Sequence, residues 1–189
     1  MTSIRFTSRD LEVLPLEDGK RYEIIDGELY VFRQPHGYHQ LVCNHIGKAL
    51  GNWSDDGDLG LVFQAPGLIF AEDDVVAPDV IWVSRARLPV IFETDGKFHA
   101  APDLVVEVLS SGPANERRDR QVKLELYSRR GVPEYWIVDW LRKQVYVYRR
   151  EQADLRLATT LRESDTLTSP LLPGFSCQVA ALFFRVGLI

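Results

Sequence analysis

Residues 102–110, Pro-Asp-Leu-Val-Val-Glu-Val-Leu-Ser, set two carboxylates in a nearly continuous apolar run. Such a run reads as a central strand buried on both faces. Side chains alternate across a strand, so Asp103, Val105, Glu107 and Leu109 share one face. A carboxylate there costs free energy unless it is paired, protonated or bound to a metal. Asp103 and Glu107, read as roughly 6–7 Å apart along that face, are thus candidates to hold one divalent cation, directly or through water. They equally fit structural roles, Asp103 capping the turn after Pro102 and Glu107 pairing with an arginine. A second Pro-Asp step, Pro78-Asp79, opens the run Val80-Ile81-Trp82-Val83. An aspartate in that position serves either a turn or a ligand set. Glu23, within Tyr22-Glu23-Ile24-Ile25, faces either solvent or a cleft across the sheet. Asp119, Lys123 and Tyr127 are four apart and share one helical face, where Asp119–Lys123 also reads as an ordinary surface pair. His36, His39 and His45 form no HExxH pattern, and they read as packed or surface residues, with His39 able to line a cleft.

Elements that position these side chains can be read from the hydrophobic pattern. Thr7-Ser8-Arg9-Asp10 has the form of a capping box, followed by a short helix through Leu14 that stops near Pro15. Residues 22–25 and 29–32 flank Asp26-Gly27, a strong hairpin signal. Tyr38, Leu41, Val42, Ile46, Ala49, Leu50 and Trp53 recur at helical spacing. Strands are expected at 61–64, 68–71, 79–83 and 103–109, the last ended by Ser110-Ser111-Gly112-Pro113. A charged helix over 116–129 turns Leu124 and Tyr127 inward and stops at Gly131. Two strands follow, at 135–138 and 144–148, then a weaker one at 155–160 and a turn at Pro173-Gly174. The order implies one α/β domain over 1–189, a mixed sheet flanked by helices.

Composition narrows the function classes. Of 189 residues, 46% are hydrophobic and 26% charged, which is ordinary for a globular protein. The net charge of −5 argues against a bulk DNA packer. Cys43 and Cys177 are far apart and lack CxxC spacing, which reads as excluding a disulfide framework and a cysteine zinc site, and reduced thiols in the cytoplasm are the simplest expectation. The start of the chain lacks a signal-peptide apolar core, and no segment reaches the ~20 apolar residues of a membrane span. Nucleotide-binding glycine motifs and the GxSxG elbow are absent. Between residues 115 and 150, ten basic side chains face five acidic ones, which predicts a local basic groove around Lys123.

Taken together, Tyr22-Glu23-Ile24-Ile25-Asp26-Gly27-Glu28, Pro78-Asp79-Val80, the 102–110 run, Asp119-Arg120 with Lys123 and Tyr127, and Gly131-Val132-Pro133-Glu134-Tyr135-Trp136-Ile137-Val138-Asp139 carry a resemblance. The chain, from about Phe6 to Phe184, resembles the Uma-type restriction endonuclease family of the PD-(D/E)XK nuclease superfamily, which is widespread in bacteria. The resemblance implies a restriction-endonuclease-like core whose acidic residues hold Mg²⁺, with Mn²⁺ as a substitute. It matches Asp79 to the superfamily aspartate, Glu107 to the acidic residue of the (D/E)XK half and Glu23 to an additional N-terminal acid. Asp103 assists or takes the aspartate role, so the implied ligands are Asp79, Glu107 and Asp103. Leu109 stands where the superfamily has its lysine, and Lys123 is the implied substitute. The expected activity is Mg²⁺-dependent hydrolysis of DNA phosphodiesters by a homodimer. Two rivals remain: a nucleic-acid-binding descendant that has lost catalysis, and a glycosidase using Asp103 and Glu107 as its acid–base pair.

Overall fold

A computed structural model describes residues 4–14, 19–110 and 112–187. The stops expected at Pro15 and Ser111 lie outside the described residues. Helix α1 (Ser8–Val13) starts where the Thr7 N–H donates to the Asp10 carboxylate at 2.6 Å. The expected hairpin is β1 (Lys20–Ile25) and β2 (Glu28–Arg33). Both turn residues, Asp26 and Gly27, have positive φ (52° and 74°), as a type I′ turn requires. The amphipathic stripe forms α2 (Gly37–Asp56).

Next come β3 (Gly60–Gln64), β4 (Leu68–Ala71), β5 (Asp74–Val76), β6 (Val80–Ser84), a one-turn helix α3 (Leu88–Ile91) and β7 (Leu104–Val108). A helical crossover leads to β8 (Glu134–Asp139) in three pieces: α4 (Pro113–Arg117), a π-helical turn (Arg118–Val122) and α5 (Lys123–Arg129). Strands β9 (Gln144–Glu151), β10 (Asp154–Arg162), β11 (Thr166–Ser169) and β12 (Leu172–Gln178) precede helix α6 (Val179–Leu182). The Pro173-Gly174 turn is not formed, because both residues lie inside β12.

The main sheet runs β10-β9-β8-β7-β6-β3, with β7 and β8 parallel and the other neighbours antiparallel. This is the mixed sheet expected. The hairpin joins β5 and β4 in a second sheet of order β2-β1-β5-β4, and β11 pairs with β12. Strand β7 is buried along its whole length. Leu104, Val106 and Val108 pack toward α2, β12 and α6, in one apolar cluster with Val42, Ile46 and Leu50. Val105 and Leu109 pack on the opposite side with Leu126 and Tyr127 of α5, Ile25 of the hairpin and Val76 of β5. Alternation puts Glu107 on this second side, inside the layer that α5 and the hairpin close.

Candidate active site

Antiparallel pairing of β6 with β7 joins Val80 to Val106 and Trp82 to Leu104. Asp79, one residue before β6, therefore lies beside the carboxyl end of β7. The Val108 N–H donates to Asp79 Oδ2 at 2.9 Å. Glu23 arrives from the middle of β1, where its Oε1 accepts from the Ala77 N–H at 3.0 Å. Lys123, the first residue of α5, reaches the end of β7 from the helical layer. Its Nζ donates to Glu107 Oε1 at 2.8 Å and to Glu23 Oε1 at 2.9 Å. The Tyr127 hydroxyl, one turn later, also donates to Glu107 Oε1 at 2.8 Å. Asp79, Glu107, Glu23 and Lys123 are all buried, and together they line a cavity of about 290 Å³.

Asp103 is not part of this group. It precedes β7 at the strand's opposite end, where it accepts from the Ser84 N–H at 2.8 Å and lies 3.6 Å from Arg87. Alternation was a sound guide to the face but not to the reach. Four residues of strand span about 13 Å, too far for one cation to bridge. Asp103 takes the structural role. Leu109 is also unavailable for site chemistry, being buried in the apolar layer under α5.

Electrostatics in the cavity are dominated by burial. Burial pushes the Glu107 carboxyl up to about 8; Lys123 opposes this, while Asp79, Asp119 and Glu23 add to it. Burial works the same way on Asp79, but the His39 bond, the Lys123 charge and the Val108 N–H outweigh it and hold the group below the ordinary range. Lys123 loses solvation, yet Glu107 and Glu23 hold its pKa above the usual value. One atom lacks a partner: Glu23 Oε2 is buried without a hydrogen bond among the described residues. Of Glu107, Oε1 takes both bonds from Lys123 and Tyr127, and Oε2 takes neither.

Three further side chains complete the surroundings: His39 lines the cleft, as its sequence position allowed, and Arg21 and Arg118 were not singled out as site residues. His39, from the first turns of α2, sits with Nε2 3.1 Å from Asp79 Oδ2 and Nδ1 3.5 Å from Cys43 Sγ. The i,i+4 spacing of His39 and Cys43 was the available signal. Arg21 of β1 approaches Asp79 Oδ1 at 3.5 Å. Arg118 lines the cavity with its guanidinium 4.1 Å over the Phe32 ring, forked onto the buried Asp119 at 2.7 and 3.1 Å.

Of the basic residues counted between 115 and 150, Arg118 and Lys123 line the cavity, while most of the others are drawn into ion pairs elsewhere. Arg120 and Arg142 pair with Glu116 and Asp139, Arg129 and Arg130 with Asp74, Lys143 with Glu163, and Arg149 with Glu134. Arg150 is spent on backbone carbonyls of Val132 and Ser128. Cationic side chains at the cavity come from the hairpin, as Arg21 and Arg33, together with Arg118 and Lys123.

The family model described as "Uma2: Putative restriction endonuclease" matches residues 8–180. The chain belongs to this family. Family and fold are those of restriction-endonuclease-like nucleases. Among solved structures, the chain is similar to a protein from Anabaena variabilis ATCC 29413 described as a putative nuclease belonging to DUF820. Identity is 20%, the TM-score is 0.74, and the match covers 95% of this chain and 98% of that one, so the fold is shared. A weaker similarity, with 14% identity and a TM-score of 0.44, covers 78% of this chain and 15% of the type IIG restriction endonuclease BpuSI. No curated protein matches the chain. Among the described residues, no helix is long and apolar enough to cross a membrane.

Proposed function

We propose that this protein is a divalent-metal-dependent endonuclease that hydrolyses phosphodiester bonds in DNA, with Mg²⁺ or Mn²⁺ held by Asp79 and Glu107 and with Glu23 beside them. The observation that carries this reading is the meeting of three buried carboxylates with Lys123 in one cavity, one carboxylate oxygen of Glu23 being without a hydrogen-bond partner among the described residues. Carboxylate donors of this kind suit hard divalent cations. Four carboxylates, Asp79, Glu107, Glu23 and Asp119, face four cationic side chains, Lys123, Arg118, Arg21 and Arg33, so a dication leaves the site positive toward a phosphodiester. When bound, the metal lowers the pKa of a water and offsets charge developing on the phosphate.

Side chains of this protein do the rest. Val108 N–H and His39 fix one oxygen of Asp79, leaving Oδ1 toward Arg21. Tyr127 and Lys123 fix Oε1 of Glu107. Lys123 has three donors and spends two on Glu107 and Glu23, so the third is available to the attacking water or a phosphate oxygen. That is the role the superfamily assigns to the lysine that Leu109 replaces. Arg21, Arg33 and Arg118 would meet the DNA backbone. A homodimer would set two such sites against two strands, and the reduced Cys43 fits a cytoplasmic setting.

The test is Mg²⁺- and Mn²⁺-dependent nicking of supercoiled plasmid by wild type, Glu107→Gln and Lys123→Ala. Each variant should lose about 10²-fold or more in rate. Wild type and variants cleaving equally would overturn the site assignment. Leu109 in the core favours a second reading, a DNA-binding descendant without catalysis; intact DNA binding with no calorimetric Mg²⁺ uptake would support that instead.

A further inference from the structure

A second cluster of side chains with metal-ligand chemistry shares Asp79 with the first. His39 and Cys43 are one turn apart on α2, on the face turned toward Asp79, and all three are buried. One nitrogen of His39, the Cys43 Sγ and one Asp79 oxygen all lie within 4.8 Å of one another. Their contacts form a chain: His39 Nε2 is 3.1 Å from Asp79 Oδ2, and Nδ1 is 3.5 Å from Cys43 Sγ. A carboxylate only accepts, so Nε2 carries the ring proton, and in the singly protonated ring Nδ1 accepts the thiol proton. A second cavity of about 210 Å³ opens onto this chain and is lined by His39, Cys43 and Asp79, with Gln40, Gln64 and Arg21 around them. It gives the three donors an access route from solvent and room for a fourth ligand.

We propose that His39, Cys43 and Asp79 form a binding site for a thiophilic divalent cation of the zinc type, overlapping the carboxylate site at Asp79 and competing with it for that residue. One imidazole nitrogen, one thiolate and one carboxylate with an open fourth position is a donor set that Zn²⁺ and Co²⁺ accept and Mg²⁺ does not. The ligand atoms, all within 4.8 Å of one another, must draw in to the spacing set by metal bonds of about 2.0–2.3 Å, which requires the Asp79 and His39 side chains to reorient. Binding exchanges the thiol proton for the metal, so the proton leaves to solvent and no electron is transferred. Loss of nuclease activity on occupation rests on the function proposed above; metal binding itself does not.

Cobalt substitution tests the site directly. Full-length wild type, Cys43→Ser and Cys177→Ser are titrated with Co²⁺ in the absence of DNA, and the sulfur-to-cobalt charge-transfer absorption is recorded. Wild type and Cys177→Ser should develop the band and lose it to added Zn²⁺ but not to Mg²⁺. Cys43→Ser should show none, and His39→Gln should weaken cobalt binding at least about tenfold. Thermal melts without metal show that the variants are folded. No band in wild type, or an equal band in Cys43→Ser, overturns the site. In a parallel plasmid-nicking assay with Mg²⁺, Zn²⁺ should inhibit wild type and spare Cys43→Ser. A wild type that binds cobalt yet never cleaves overturns the nuclease reading and leaves the site standing.

Discussion

Replacing Lys123 by Met removes the one ammonium that neutralises two buried carboxylates, and the consequence can be worked out. Lys123 is 2% exposed, Glu107 2% and Glu23 3%, so solvent cannot stand in for the lost charge. Breaking a buried pair by deleting one partner costs about 3–5 kcal/mol. Here a single ammonium serves both carboxylates, at 2.8 and 2.9 Å, which points to the upper part of that range. Protonation gives partial relief. The Glu107 carboxyl already stands at about 8, well above its unfolded value. A raised acid stabilises the fold below its unfolded pKa and loses that contribution as pH rises through the folded value. Without the ammonium this loss extends to higher pH. The deficit of Lys123→Met should therefore be smaller near about pH 6 than near about pH 9. For a chain of this size a deficit of about 4 kcal/mol lowers Tm by roughly 8–16 °C. Differential scanning calorimetry and urea denaturation in EDTA at both pH values measure it. Lys123→Met/Glu107→Gln should recover part of the loss, because the second change removes one stranded charge. A Lys123→Met protein within about 1 kcal/mol of wild type at high pH would refute the buried-charge argument.

Leu109→Lys, which puts a lysine at the superfamily's usual position, should destabilise by several kcal/mol and raise activity no further above wild type, since the new ammonium would enter the apolar layer under α5; urea midpoints compared with Leu109→Met, and nicking rates beside wild type, decide it. Asp74→Asn should cost about 3–5 kcal/mol by calorimetry, because a buried carboxylate ties Arg129 and Arg130 of the crossover to the hairpin turn through the Asp26 N–H. Burial works to raise the Asp74 pKa, but the Asp26 N–H and the two arginines hold it below the usual value, so its contribution is present above the unfolded pKa and lost as pH falls through the folded one. His39→Gln should lower kcat about 10–100-fold with KM little changed, as expected where a residue only orients Asp79.

Strand β7 was legible because it is apolar on both faces, and the hairpin because only residues tolerant of positive φ occupy its two turn positions. Glu23, Asp79 and Glu107 were legible as polar residues in or beside apolar runs, whereas Lys123, in a charged helix, was marked as a site residue only by the family resemblance; 100 residues separate Glu23 from Lys123. His39 was legible only as a residue able to line a cleft; its contact with Asp79 depends on α2 crossing near the start of β6, a tertiary fact. The pairing of basic side chains was hidden for the same reason. Counting charge along 115–150 shows an excess, whereas Asp74 and Glu163, which bind three of those cations, lie outside the counted segment.

The crossover shows how a small backbone irregularity decides the chemistry. Read as one α-helix, residues 116–129 make Asp119 and Lys123 an i,i+4 surface pair. Instead, the Lys123 N–H bonds to the Arg118 carbonyl, five residues back, which is the π-helical bond. One wide turn changes the angular relation of everything before it to everything after it. Asp119 turns inward, forks Arg118 and is fully buried, while Lys123 is released to Glu23 and Glu107. Both the guanidinium and the ammonium then line the same cavity. A regular helix would bring Asp119 and Lys123 together and leave Glu107 with Tyr127 as its remaining donor. The apolar residues of α5 cannot adjust to compensate, because Leu126 and Tyr127 are fully buried against the sheet. The π turn therefore lets one helix both seal the core and deliver two cations to the end of β7.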